Sequence, residues 1–207
     1  MKLEELARRV GAAGLFRSGQ ILAGERDPAG VRRQLDRWVK RGRVLRLRRG
    51  VYVLQKPYAT AEVHPFAAAN ALKKASYVSL QSALAHYGMI PEFVPVTTSV
   101  TTGRPEEIST PLGRFQFRHV STPLFFGFTE VEIAVGQRAL LATPQKALVD
   151  LLYLTAHSDD SDYLRELRLE VPDGFDVDAL RSTSARHGSA KVERAVAQLI
   201  ELWEEEH

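Results

Sequence analysis

The chain of 207 residues contains no cysteine, which excludes disulfides and any metal site built on thiolates. No apolar run approaches the roughly 18 residues of a membrane-spanning helix. The opening residues, MKLEELARRV, carry two early glutamates and a helical spacing of apolar residues. They lack the unbroken apolar core of about 7–15 residues that marks a secretory signal, so a cytoplasmic location is the expectation. Neither a Walker-type phosphate loop nor a Gly-x-Gly-x-x-Gly fingerprint is present, and there are no internal repeats. The histidines (His64, His86, His119, His157, His187 and His207) are scattered without metal-ligand spacing. The acids are dispersed rather than clustered, so no metal or cofactor is expected. Ser79, His86 and Asp150 could be written as a triad, but no Gly-x-Ser-x-Gly elbow surrounds Ser79, which sits where a helix needs an N-cap. The chain therefore reads as a protein that is not an enzyme.

What is present is unevenly distributed charge. Residues 1–58 hold 15 Lys and Arg against 5 Asp and Glu, a net of +10. The remaining residues hold 13 against 20, a net of −7, and the two add to the formal +3 of the chain. Such asymmetry points to separate partners for the two parts, a polyanion for the first and something other than DNA for the second. The expected domains are accordingly 1–58 and 59–207.

The basic excess concentrates in PAGVRRQLDRWVKRGRVLRLRRGVYVL, residues 28–54. Between Pro28 and Arg49 lie nine basic residues and one acid, Asp36. Three helices are expected in the first unit: Lys2–Val10, Ser18–Leu22, and one that opens with Asp27 as N-cap and Pro28 at the first position and runs to Lys40. In the third helix Val31, Leu35, Trp38 and Val39 share a core face, leaving Arg32, Arg33, Asp36, Arg37 and Lys40 on the other side. Two strands, Val44–Leu47 and Val51–Leu54, follow around a turn at Arg48-Arg49-Gly50. This is the layout of a winged helix-turn-helix, with the third helix in a DNA groove and the hairpin on the flanking phosphates. Arg32, Arg33 and Gln34 are expected at base edges. Arg37, Lys40 and Arg41, with Arg46, Arg48 and Arg49 of the wing, are expected at phosphates.

The second unit reads as mixed α/β with C-terminal helices, so the whole chain is α+β. Helices are expected at Pro65–Lys74, from Ser79 to Gly88, from Thr143-Pro144 through QKALVDLLYLTAH, and at Val177–Arg186 and Ala190–Trp203. Strands are expected at Tyr77-Val78, Val94–Val100, Phe115–Val120, Val131–Val135 and Ala139–Ala142. From these residues alone, the task of the second unit stays open between ligand sensing, dimerisation and contact with another protein. A nucleic-acid-processing enzyme lacks a catalytic group here.

In order, the stretches ending in Arg49-Gly50-Val51-Tyr52, then VSLQSALAHYGMIPE (Val78–Glu92), LGRFQFRHV (Leu112–Val120) and ATPQKALVDLLYL (Ala142–Leu154) resemble the AbiEi antitoxins of type IV toxin–antitoxin and phage-defence loci. The resemblance spans roughly residues 2–170. Where such proteins often carry an acid, this chain has Gln145. The resemblance implies two jobs. One is repression through inverted repeats in double-stranded promoter DNA. The other is neutralisation, direct or indirect, of a cognate nucleotidyltransferase-like toxin by an antitoxin-like domain.

Overall fold

A computed structural model describes residues 1–91 and 94–205. Glu92, the last residue of the Val78–Glu92 stretch, and His207 lie outside the described residues. The N-terminal unit is built from α1 (Leu3–Val10), β1 (Leu15–Arg17), α2 (Ser18–Leu22), α3 (Pro28–Lys40), β2 (Val44–Arg48) and β3 (Val51–Leu54). Its three strands form an antiparallel sheet in the order β1-β3-β2, and the element order is that of a winged helix. Strand β1 was not expected. It is three residues long and exists only because Leu15–Arg17 pairs with Val51–Val53, a partner more than thirty residues away that no local pattern reveals.

All four residues of β3 are buried. Successive strand side chains point to opposite faces. Tyr52 and Leu54 turn to the helices, joining Phe16, Leu35, Trp38 and Val44. Val51 and Val53 turn the other way, with Leu47, into the core of the C-terminal unit. The expected boundary at residue 58 is therefore not a gap in packing. The chain beyond it also stays with the first unit for a few residues, because Ala59 is buried there and Thr60 and Ala61 both donate backbone N–H groups to Ala12 O.

The C-terminal unit is a six-stranded sheet in the order β6-β7-β5-β4-β9-β8, made of β4 (Ser76–Val78), β5 (Val96–Thr101), β6 (Glu106–Thr110), β7 (Gly113–His119), β8 (Phe128–Ala134) and β9 (Gln137–Ala142). The β5–β7 and β4–β9 pairs are parallel and the others antiparallel. Helix α4 (Pro65–Leu72) lies between β1 and the β4–β9 region. Helices α5 (Leu80–His86) and α6 (Pro144–Leu154) pack together, and α8 (Val177–His187) and α9 (Ala190–Glu205) stack on α6. Strand β6 and the short helix α7 (Ser161–Glu166) were not expected. Glu-Glu-Ile-Ser-Thr has poor strand character, and it is held as an edge by β7 alone.

Two local devices seat α4. The β4–β9 ladder is a single pair, Val78 with Leu141, and Asn70 bridges the opening beside it. Its Oδ1 accepts from Leu140 N at 2.6 Å and its Nδ2 donates to Ser76 O at 3.4 Å. The last four carbonyls of a helix have no partner within it and carry partial negative charge. Here they are all taken: Ala69 O by Lys73 N, Asn70 O and Ala71 O by the Arg17 guanidinium at 2.5 and 2.9 Å, and Leu72 O by Arg48 Nη1 at 3.1 Å. Two arginines of the winged helix thus cap a helix of the other unit. The expected end at Lys74 is corrected to Leu72 for this reason, the chain turning away where the arginines meet it.

Arg17→Ala leaves two part-buried carbonyls without donors and should cost about 1–3 kcal/mol of stability. Arg17→Lys should recover only part of it, because a single ammonium does not reproduce the planar two-point fork. Urea midpoints of the three proteins check this; an unchanged midpoint for Arg17→Ala would refute the capping role.

Candidate nucleic-acid interface

Helix α3 begins as its sequence demands. Asp27 accepts from Gly30 N at 2.8 Å, and Pro28 occupies the first position. Val31, Leu35 and Trp38 are buried, while Arg32, Arg33, Asp36, Arg37 and Lys40 are exposed, as is Arg41 just beyond. Gln34 is half-buried and accepts from Arg37 Nη2 at 2.5 Å, so it is engaged with its neighbour. Arg33 lies 3.8 Å from Asp27, both side chains being mostly exposed, which leaves it free to move. Eight bases (Arg32, Arg33, Arg37, Lys40, Arg41, Arg43, Arg46 and Arg49) are exposed between Pro28 and Arg49, against the one acid Asp36. A solvated face ordinarily mixes signs; a face of one sign suits a polyanion.

The wing turns at Arg49-Gly50, with Gly50 at φ 86°, where a left-handed residue is required. Its tip is tied down because Ser18 N donates to Gly50 O at 2.9 Å. A groove between this hairpin and α3 is lined by Arg32, Asp36, Arg46, Arg48, Arg49 and Tyr52.

Arg48 is placed differently from its neighbours. Simple alternation along β2 would put Arg46 and Arg48 on one face. The ladder instead pairs Arg46 with Tyr52 and Arg48 with Val51, with Leu47 as the extra residue of a bulge. The bulge resets the alternation, so Arg46 stays on the groove side and Arg48 turns with Val51 toward the C-terminal unit. There it meets Leu72 O and Glu106, with Nη2 at 3.3 Å from Oε1. Glu106 is also bound by Lys73 Nζ at 2.8 Å. Hydrogen bonding from Lys73, then the positive charge of Arg48, holds the Glu106 carboxyl below the usual range despite some burial. Sequence reasoning missed Arg17 and Glu106, since neither partner lies nearby in the chain.

The C-terminal unit contains the other cluster of ionisable groups. Lys146 and Asp150 face each other at i and i+4 on α6, both fully buried and hydrogen-bonded. Asp150 Oδ2 also accepts from Tyr77 at 2.9 Å and Ser79 at 2.8 Å. Burial pushes the Asp150 carboxyl up, while Lys146 and the two hydroxyls pull it back. Burial, then the Asp150 charge, raises the Tyr77 phenol. Lys146 further lies over the Phe126 ring, 4.8 Å from its centre, and Gly127 leaves room that a Cβ would fill, at 2.9–3.2 Å from the Lys146 stem. Ser79 occupies the expected N-cap position, but its side chain makes no cap bond. Thr98 on β5 takes that role, its Oγ1 accepting from Ser82 N at 3.1 Å, which leaves the Ser79 hydroxyl for Asp150. His86 packs its ring against Phe66 and Tyr87 instead, so Ser79, His86 and Asp150 do not assemble as a triad. Among the described residues no group of three or more His, Cys, Asp or Glu is placed to hold a metal, and no helix is long and apolar enough to cross a membrane.

Residues 1–55 match the family model described as transcriptional regulator, AbiEi antitoxin, 55 of the 207 residues. The winged helix is thus similar to that family's. No curated protein matches the chain. Among solved structures, that of the RV2827C protein from Mycobacterium tuberculosis aligns with a TM-score of 0.47 at 15% identity, covering 96% of this chain and 79% of that one.

Breaking the buried pair from one side strands a charge away from water. Asp150→Asn should cost about 3–5 kcal/mol, and the double change Lys146→Met with Asp150→Leu should cost less than that single change. Denaturant unfolding of the two variants checks the order; the opposite order would mean that Lys146 reaches water.

Proposed function

We propose that the protein is the antitoxin of a type IV toxin–antitoxin pair. In this reading the winged helix binds inverted repeats in its own promoter and represses it, and the C-terminal unit counteracts a nucleotidyltransferase-like toxin. The observation that carries the DNA half is the single-signed face of α3 and the wing, eight exposed bases against one acid. Support for the toxin half is the family match of residues 1–55 together with the order of motifs through Leu154. In this reading the chain acts by binding rather than catalysis, which fits a Ser79 hydroxyl that is fully buried and committed to Asp150.

The contacts divide by role. Arg32 and Arg33 stand in the first turns of α3, where a recognition helix approaches base edges. Arg37, Lys40, Arg41, Arg46 and Arg49 are spread along the flanks, where they suit phosphates. Gln34 reaches a base only by giving up its bond to Arg37.

A second reading is favoured by one feature. A cavity of about 440 Å³ lined by Gln81, Ile90, Val96, Thr98, Leu151 and Leu167 has the mainly apolar wall and few polar groups of a small-molecule site. It suits a winged-helix regulator that senses a ligand, in which operator affinity follows a small molecule and no toxin is involved.

In the full-length protein, Arg46→Ala with Arg49→Ala should weaken binding to every duplex and flatten the salt dependence by about one unit of slope per lost phosphate contact. Arg32→Ala should cost about 1–3 kcal/mol and relax preference at one base position. Unchanged affinity and slope in the wing variant would refute the wing assignment. Co-expressed with a neighbouring nucleotidyltransferase-like reading frame, the chain should restore growth, and so should its Arg32→Ala, Arg33→Ala variant. Loss of rescue in that folded variant would contradict the division of labour.

A further inference from the structure

Arg48 stands where the groove of the winged helix meets the C-terminal unit. It lines the groove beside Arg32, Arg46 and Arg49, yet its guanidinium is turned out of it onto Glu106 and Leu72 O. We infer that Glu106 stands in for a DNA phosphate: it holds Arg48 while the groove is empty and yields it when a phosphate arrives. Glu106, a residue outside the winged helix, thereby sets the protein's affinity for DNA. The inference rests on the DNA-binding reading above.

Three observations carry it. The ligand is chemically equivalent, because a carboxylate and a phosphate offer a guanidinium the same pair of acceptor oxygens. The hold is loose: all three Arg48 contacts lie between 3.1 and 3.4 Å, and the side chains of Arg48 and Glu106 are 35% and 33% exposed, an accessibility at which an ion pair adds little stability. The exchange also strands no charge, since Lys73 remains on Glu106 at 2.8 Å and keeps the acid neutralised once Arg48 has left. By linkage, DNA that draws Arg48 away must loosen the wing from the end of α4 to the same extent.

The test measures binding of the full-length protein to a promoter duplex and to an unrelated duplex. Wild type is compared with Glu106→Gln, Arg48→Ala and the double variant, with Arg49→Ala as the control for the winged helix. Glu106→Gln should bind both duplexes more tightly, with the salt slope of wild type, because Arg48 neutralises the same phosphate in both complexes and only the contact it gives up differs. The double variant should bind as Arg48→Ala does. Equal binding by Glu106→Gln and wild type overturns the inference. So does a gain that survives without Arg48, since it would come from removing an acid near DNA rather than from freeing the arginine. Should Glu106→Gln fold poorly, amide exchange of the wild type decides: protection at Lys73–Ser76 should fall on adding DNA, and unchanged protection overturns the proposal. Wild type that binds no DNA, or Arg49→Ala that binds as well as wild type, would instead strike at the winged-helix reading on which the inference depends.

Discussion

The structure depends on β3, four residues buried on both faces. Its alternation sends Tyr52 and Leu54 into the helical core of the winged helix, and Val51 and Val53 into the core of the acidic unit. A shift of register by one residue would exchange the two sets and spoil both cores at once. One strand therefore joins the two units, and the wing that grows from it is held rather than mobile. The capping of α4 follows from the same placement. Arg17 on β1 and Arg48 on β2 flank β3, and both turn to the face where the α4 carbonyls end.

The C-terminal unit solves a related problem with a buried charge. Lys146 and Asp150 are removed from water, which costs more than their attraction returns unless the remaining hydrogen-bonding capacity is met. Tyr77 and Ser79 meet it for Asp150, and so tie α6 to β4 and the start of α5, while the Lys146 ammonium also faces the Phe126 ring. That arrangement is possible because Thr98, from the adjoining strand, caps α5 in place of Ser79. The network joins helix to sheet.

The two units divide the charge. The winged helix exposes its bases on α3 and on the β2–β3 hairpin, with Arg32, Arg46 and Arg49 lining one groove. At one contact between the two units, Arg48 with Glu106, an acid of the second unit reaches a base that lines the groove. Strand β3 joins the two units through both of its faces.

Much of this was legible in the sequence. The spacing of Val31, Leu35 and Trp38 set the buried face of α3 and hence the exposed one. Asp27-Pro28 and Thr143-Pro144 marked helix starts that the structure contains. These are local properties, decided by residues within a turn or two of one another. The short strand β1, the edge strand β6, the bulge at Leu47 and the cap supplied by Thr98 were not legible, because each is created by a partner far along the chain. The Lys146–Asp150 pair was half legible, as two charges at i and i+4 in an otherwise apolar helix, but not the hydroxyls that complete it. The sequence by itself determined where α3 forms and which of its faces is basic, since periodicity and charge are carried by neighbouring residues. Only the tertiary structure decided that the Arg48 guanidinium turns from the groove beside α3 onto Glu106. A one-residue bulge reverses the side on which an arginine emerges, and its new partner is a glutamate that folding, not sequence, brings beside it.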